Sequence, residues 1–243
     1  MDERDLIMTG ASVVSGGRFR NVKISGAGSV TSPIHAETVN ITGGVKIDGS
    51  VESREIRITG GVKIAGDVTG DEIIISGGVS IDGSIRGEKM DLAGGTKIRG
   101  ALKGTDVRIS GESTIGLDME CETLTVHGGI FCGGTVNCGT CDIDLAGESE
   151  IKELVGGRIT VVNKGRDRGG FNLSFRKLKI VTSGDSVLRV QTIEGDKVEL
   201  ENTIAEVVRG GDVSIGRGCR IGRVEHTGTI WVSQDSKVDE VIH

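Results

Sequence analysis

Ile41-Thr42-Gly43-Gly44-Val45-Lys46-Ile47-Asp48-Gly49 returns seventeen residues later as Ile58-Thr59-Gly60-Gly61-Val62-Lys63-Ile64-Ala65-Gly66. It returns again from Ile75 and Leu92 and, with drift, from Ile109 and Val126. A short fixed period of this kind is the signature of a solenoid, in which each repeat buries its apolar face only against its neighbours.

Taking Ile41 as offset 0 of a repeat, the apolar or small residues recur at offsets 0, 4, 6, 10, 12 and 15. One repeat therefore reads Ile41, Val45, Ile47, Val51, Ser53 and Ile56, and the next Ile58, Val62, Ile64, Val68, Gly70 and Ile73. These positions form three pairs spaced by two: 4 with 6, 10 with 12, and 15 with the next 0. A spacing of two places both side chains on one face of a strand. Each coil thus has three short strands, and the residues between pairs make three corners. Gly43 and Gly44 occupy one corner and Gly49 another, with Gly as the natural residue where a corner needs positive φ. The expected fold is all-β: a three-sided parallel β-helix with coils of about 17 residues. The unequal steps between pairs favour a right-handed coil over the hexapeptide-based left-handed kind.

The pattern predicts a first β-helix segment over 1–161. An irregular, basic junction follows at 162–180, where the register is lost, and a second segment at 181–243. In the second segment Val187, Ile204, Ile221 and Val238 are spaced by seventeen. So are Val190, Val207, Val224 and Val241, and so are Val181, Val198, Ile215 and Val232. The second apolar step shortens from four residues (Ile47 to Val51) to three (Ile151 to Leu154, Ile221 to Val224), so one corner is tighter there. About 14 coils at ~4.8 Å each give a rod roughly 65 Å long.

Composition narrows the function. Gly supplies 41 of 243 residues and Pro only Pro33, which excludes collagen. Four Phe, one Trp and no Tyr leave Ile and Val to fill a narrow core. The net charge of −6 with interspersed signs lacks the basic face of a nucleic-acid binder. The N-terminus, Met1-Asp2-Glu3-Arg4-Asp5, is too acidic for a signal peptide, and no apolar run is long enough to cross a membrane. A cytoplasmic protein is expected.

Candidate chemistry meets structural explanations. Cys121, Cys132, Cys138 and Cys141 number enough thiols for a structural zinc site, and Cys138 to Cys141 is a CxxC. Yet all four, and Cys219, fall at inward offsets, where Cys packs as a small hydrophobe. Cys121 and Cys138 stack closely enough for a disulfide, which a cytosolic setting disfavours. His35, His127, His226 and His243 are scattered, and His127 takes an outward offset without an acid–base partner in sequence. The Gly pairs lack the Gly-Lys-Ser/Thr ending of a phosphate loop. No carboxylate or Thr column persists long enough for calcium or ice binding. No catalytic residue, cofactor or metal is expected. One surface feature rises above background: Lys164, Arg166, Arg168, Arg176, Lys177 and Lys179, a candidate docking patch for an acidic partner or anionic lipid headgroups.

Ile-Thr-Gly-Gly-Val-Lys-Ile-Asp-Gly-Ser-Val (41–51) and Ile-Ser-Gly-Gly-Val-Ser-Ile-Asp-Gly-Ser-Ile (75–85) resemble the repeat of the bactofilins, polymer-forming bacterial cytoskeletal proteins. The resemblance is clearest over about 24–141 and resumes weakly from about 181. It implies a right-handed β-helix that assembles end to end into nucleotide-independent filaments. Such filaments scaffold cell-shape, envelope or motility machinery at the membrane surface. The chain departs from many members in lacking Pro-rich tails and a convincing N-terminal lipid anchor, and in having about twice the coils. The expected partner is the chain itself, together with a membrane surface or envelope and motility proteins, and no nucleic acid.

Polymerisation also fits the physics, because a β-helix ends in unpaired strand edges. The terminal coils offer Ile7, Val13 and Phe19 at one end and Trp231, Val232, Val238, Val241 and Ile242 at the other. Two rivals remain: a β-helix enzyme acting on a polysaccharide or sugar nucleotide, and an adaptor rod that does not polymerise. The first needs loops, paired carboxylates and aromatic platforms that the sequence does not display.

Overall fold

In the computed structural model, residues 4–164 and 186–243 are described, and they form a parallel β-solenoid without a helix longer than a single turn. The first strands are β1 (Leu6–Val14), β2 (Gly17–Arg18), β3 (Asn21–Val30), β4 (Ile34–Ile47) and β5 (Val51–Ile64). Next come β6 (Val68–Ile81), β7 (Ile85–Ile98), β8 (Leu102–Ile115), β9 (Met119–Leu145) and β10 (Glu148–Val162). The last are β11 (Val187–Leu200), β12 (Thr203–Ile215), β13 (Arg220–His226), β14 (Ile230–Val232) and β15 (Lys237–Ile242). Successive strands pair in sequence order, every ladder parallel, so each coil lies directly on the one before it.

The inward columns are those the period predicts. In β5, Val51, Ser53, Ile56, Ile58, Val62 and Ile64 are buried while most of their neighbours are exposed. Ile47 stacks on Ile64, Ile64 on Ile81 and Ile81 on Ile98. Like residue thus covers like residue, and the core is a set of aliphatic columns rather than a cluster around aromatics.

The corners have different causes. Gly60 has φ +115°, and a Cβ there would lie 2.5 Å from the carbonyl oxygen of Gly43 in the coil below. Its neighbour Gly61 has no such φ and open space where a Cβ would go. The corner at Gly66 does not use positive φ as the sequence suggested. Gly is needed there because a Cβ would meet the Ser50 nitrogen at 2.6 Å. Side chains complete that same corner: Asp67 Oδ1 accepts from the Ser84 N–H at 2.8 Å, and Ser84 Oγ from the Ala101 N–H at 3.1 Å.

The seventeen-residue step holds from β3 to β9 and then changes. β9 to β10 takes 19 residues at Cys132 and Ile151 but 18 at Val136 and Leu154, a bulge that shortens one corner. This is the tightened step read from the sequence. β11 to β12 takes only 15, pairing Val190 with Ala205 and Val198 with Val213. β12 to β13 takes 16, pairing Ala205 with Ile221, and β13 to β15 returns to 17. The expected stacks of Val190 on Val207 and Val198 on Ile215 are therefore replaced, and Ile204 and Val207 are only half-buried. The reason is a second shortened corner. Leu200 reaches Thr203 in three residues, where Ile58 reaches Val62 in four. Asn202 makes the turn with φ +47°, a left-handed conformation that Asn tolerates better than most residues. Val181 lies outside the described residues.

Two predictions follow from the corners and the core. Gly60→Ala should destabilise the protein by at least about 2 kcal/mol, whereas Gly61→Ala should leave stability unchanged or raise it by up to about 1 kcal/mol. Denaturant unfolding of the two variants checks this, and equal effects would contradict the assignment. Thr96 and Ser113 stack in a buried column, and their hydroxyls have no partner. Thr96→Val should therefore stabilise by about 1 kcal/mol in the same assay.

Candidate assembly surfaces

The two ends of the solenoid and the grooves along its side are the places where this chain can meet another molecule. At the C-terminal end, Val232 stacks on Ile215, Val238 on Ile221 and Val241 on Val224. These are core columns, and β14 and β15 form their last described layer. Val241 there is 50% exposed, whereas Val224 below it is fully buried. Ile230, which the sequence reading did not single out, belongs to the same open layer because it stacks on Val213. Trp231 and Ile242 lie on outward columns, opposite Ser214 and Glu225, and so project from the side of the rod.

At the N-terminal end the register slips by one. β1 pairs with β3 in steps of 16, so Met8 stacks on Ile24 and Val14 on Val30, with Leu6 on Val22. A step of 17 from Ile24 and Val30 leads instead to Ile7 and Val13. Those two face outward, opposite Lys23 and Ser29, and are about 70% exposed. Phe19 is buried, its N–H donating to the His35 carbonyl at 2.9 Å. The inward residues of this layer are thus Leu6, Met8, Val14 and Phe19. Only a register known from pairing reveals the first three, because a one-residue slip exchanges the two faces of a strand.

All five cysteines are free and buried in the core columns. Cys132 stacks between Ile115 and Ile151, and Cys141 against Ile159. Cys132 Sγ also donates to the Leu117 carbonyl at 3.2 Å. Contact with Cys138, then burial, pushes the Cys121 thiol far above its ordinary value. For Cys138, contact with Cys121 favours the thiolate, but contact with Cys141 and burial outweigh it and the thiol is raised. Burial likewise raises Cys132 and Cys219. Among the described residues no group of His, Cys, Asp and Glu is placed to hold a metal ion.

A groove of about 700 Å³ runs along the C-terminal coils over the backbone of Gly156, Gly195 and Gly210. Glu194, Asp196, Arg209, Glu225, His226 and His243 border it. Arg209 Nε donates to Glu225 Oε2 at 2.8 Å, which holds the Glu225 carboxyl below its ordinary range. A carboxylate held ionised in this way is the opposite of a general acid. His127 lies on the outer face, 3.7 Å from Asp144. His35 Nδ1 lies 3.0 Å from Glu52.

Of the basic cluster, Lys164 is exposed, and its backbone N–H donates to Asp144 Oδ1 at 3.0 Å. Arg166, Arg168, Arg176, Lys177 and Lys179 lie outside the described residues. Among the described residues no helix is long and apolar enough to cross a membrane.

No protein-family profile matches the chain, and no solved structure does. Two curated proteins of Bacillus subtilis are similar over part of it. The uncharacterized protein YhbF is 39% identical over 94 residues, 38% of this chain and 34% of its own length. The uncharacterized protein YhbE is 43% identical over 53 residues, 22% of each. The chain thus spans about a third of the first relative and less than a quarter of the second.

The packing of the thiols carries a prediction. A raised pKa keeps a thiol protonated, and only the thiolate attacks alkylating reagents. At pH 8 Cys121, Cys132, Cys138 and Cys219 should therefore react at least about a hundredfold more slowly with iodoacetamide in the native protein than in denaturant. Rapid native labelling of any of them, read by mass spectrometry, would show that its column is open.

Proposed function

We propose that this chain is a non-catalytic scaffold whose solenoid joins end to end with other copies into filaments formed without nucleotide. The observation that carries this reading is the exposed aliphatic layer of β14 and β15. Val232, Val238 and Val241 continue core columns, and among the described residues no strand pairs with the outer edges of β14 and β15. An unpaired edge over exposed aliphatic columns is a template for one more coil. A second copy supplies such a coil at either of its ends. The resemblance of the 41–51 and 75–85 repeats to bactofilins supports the same reading. It extends the reading to a role in cell shape, envelope or motility, in the cytoplasm or at the membrane surface.

A scaffold of this kind needs no acid–base pair. The groove beside Arg209 and Glu225 shows an ion pair that neutralises its most tightly held carboxylate. This favours a structural role over hydrolysis or acyl transfer.

Negative-stain electron microscopy of the purified protein, without nucleotide or metal, tests the proposal. The wild-type chain should form filaments. Val238→Asp and Val241→Asp place a charge in the joint, where an unpaired charge costs several kcal/mol. Each should cut the sedimentable fraction at least about tenfold, with circular dichroism unchanged. Filaments of undiminished length in both variants would refute the assignment of this end, and monodisperse wild-type rods would refute assembly itself.

A further inference from the structure

A pocket lies at the side of the shortened coils of β11 and β12. It measures about 350 Å³ and is lined by Glu148, Ser186, Val187, Arg189, Asn202, Ile204, Gly218 and Arg220. Arg189, Ile204 and Arg220 occupy one outward column in successive coils, continued by Lys237. The two arginines are therefore two layers apart, about 10 Å along the axis, with the half-buried Ile204 between them. Some cations of this surface are matched by carboxylates, as where Asp82 lies 3.6 Å from Lys63 and 3.1 Å from Arg99. Arg189 and Arg220 make no ion pair among the described residues, although Glu150 lies opposite Arg189.

A second, independent feature belongs to the lining of the same pocket. Asn202 is 5% exposed, and its side-chain amide nitrogen has no hydrogen-bond partner. A buried donor without an acceptor costs about 1–3 kcal/mol. Among the described residues it sits at the one corner where a residue other than Gly adopts a left-handed conformation. Thus a residue with an orphaned neutral donor and two arginines without an ion pair line the same pocket.

We infer that this pocket binds a phosphate group. Guanidinium forks match phosphate oxygens with two parallel hydrogen bonds, and the reach between the arginines suits one tetrahedral anion held over Ile204. The Asn202 amide supplies a third, neutral donor. Glu148 at one wall and Glu150 beside Arg189 set the limit on affinity. They favour a single phosphate over a polyanion that would extend onto them. The phosphate could belong to a soluble molecule or to a lipid headgroup, and both present the same oxygens.

Calorimetric titration of the full chain with inorganic phosphate at low ionic strength tests the inference, alongside flotation with vesicles of phosphatidylglycerol or phosphatidylcholine. Saturable phosphate binding is expected. Arg189→Gln with Arg220→Gln should weaken it by at least about tenfold. Asn202→Gly keeps the left-handed corner while removing the donor, and should weaken it by about threefold or more. Flotation with phosphatidylglycerol that inorganic phosphate competes away identifies the lipid source, and phosphate binding without flotation identifies a soluble one. Absence of saturable binding overturns the inference. So does binding that the double arginine variant retains, provided that variant keeps the wild-type circular dichroism. Filament formation is measured separately, so loss of phosphate binding with intact filaments counts against this site alone.

Discussion

The backbone of every coil finds its hydrogen-bond partners in the coil before it and the coil after it. Val51 donates to the Asp67 carbonyl, Val68 to that of Ser84, and Ile85 to that of Ala101, in the same place one layer further on. No coil can satisfy its own amides, and none can cover its own columns. The stability of the chain is therefore a sum over neighbouring pairs. Both the regularity of the middle and the incompleteness of the ends come from this one dependence. A fully buried Val68 and a half-exposed Val241 play the same part in their coils, but Val68 is covered by a following layer and Val241 lies in the last described one.

The corners are where the chain departs from its own rule. Strands must keep their two-residue alternation, because losing it would turn core residues to solvent. Length can change only between them. The chain uses this freedom at the bulge after Ile151 and again between Leu200 and Thr203, giving steps of 19, 18, 15 and 16 residues beside the regular run at 17 from β3 to β9. Pockets lie at the sides of the shortened coils as well as of the regular ones. The cluster of Arg189, Asn202 and Arg220 lies in one of them, and Gly195 and Gly210 floor another.

Most of the fold was legible in the sequence because a strict period carries its own register. Ile41, Ile58 and Ile75 can be aligned by eye, and their burial follows. Legibility failed where two corner steps changed at once. Val190 and Val207 are seventeen apart, but the ladder joins Val190 to Ala205, since an Asn in a left-handed corner saves a residue that no composition rule announces. The N-terminal layer failed for the same reason, with Met8 and Val14 inward rather than Ile7 and Val13. The cysteines, by contrast, were placed correctly, because their offsets lie in or beside regular coils. The arginine pocket had no signal in the sequence. Its residues are scattered over 189–220, and only the shortened register brings them onto one column.

The asymmetry between strands and corners also governs how such a chain can change length over generations. A single inserted residue within a strand would turn its inward side chains outward, but the same insertion at a corner is absorbed, as the three-residue and four-residue steps already coexist here. Duplication or loss of a whole seventeen-residue unit between Ile41 and Ile115 would leave both terminal layers untouched. The rod can thus lengthen or shorten in increments of about 4.8 Å, with its end surfaces conserved while its span is free to drift.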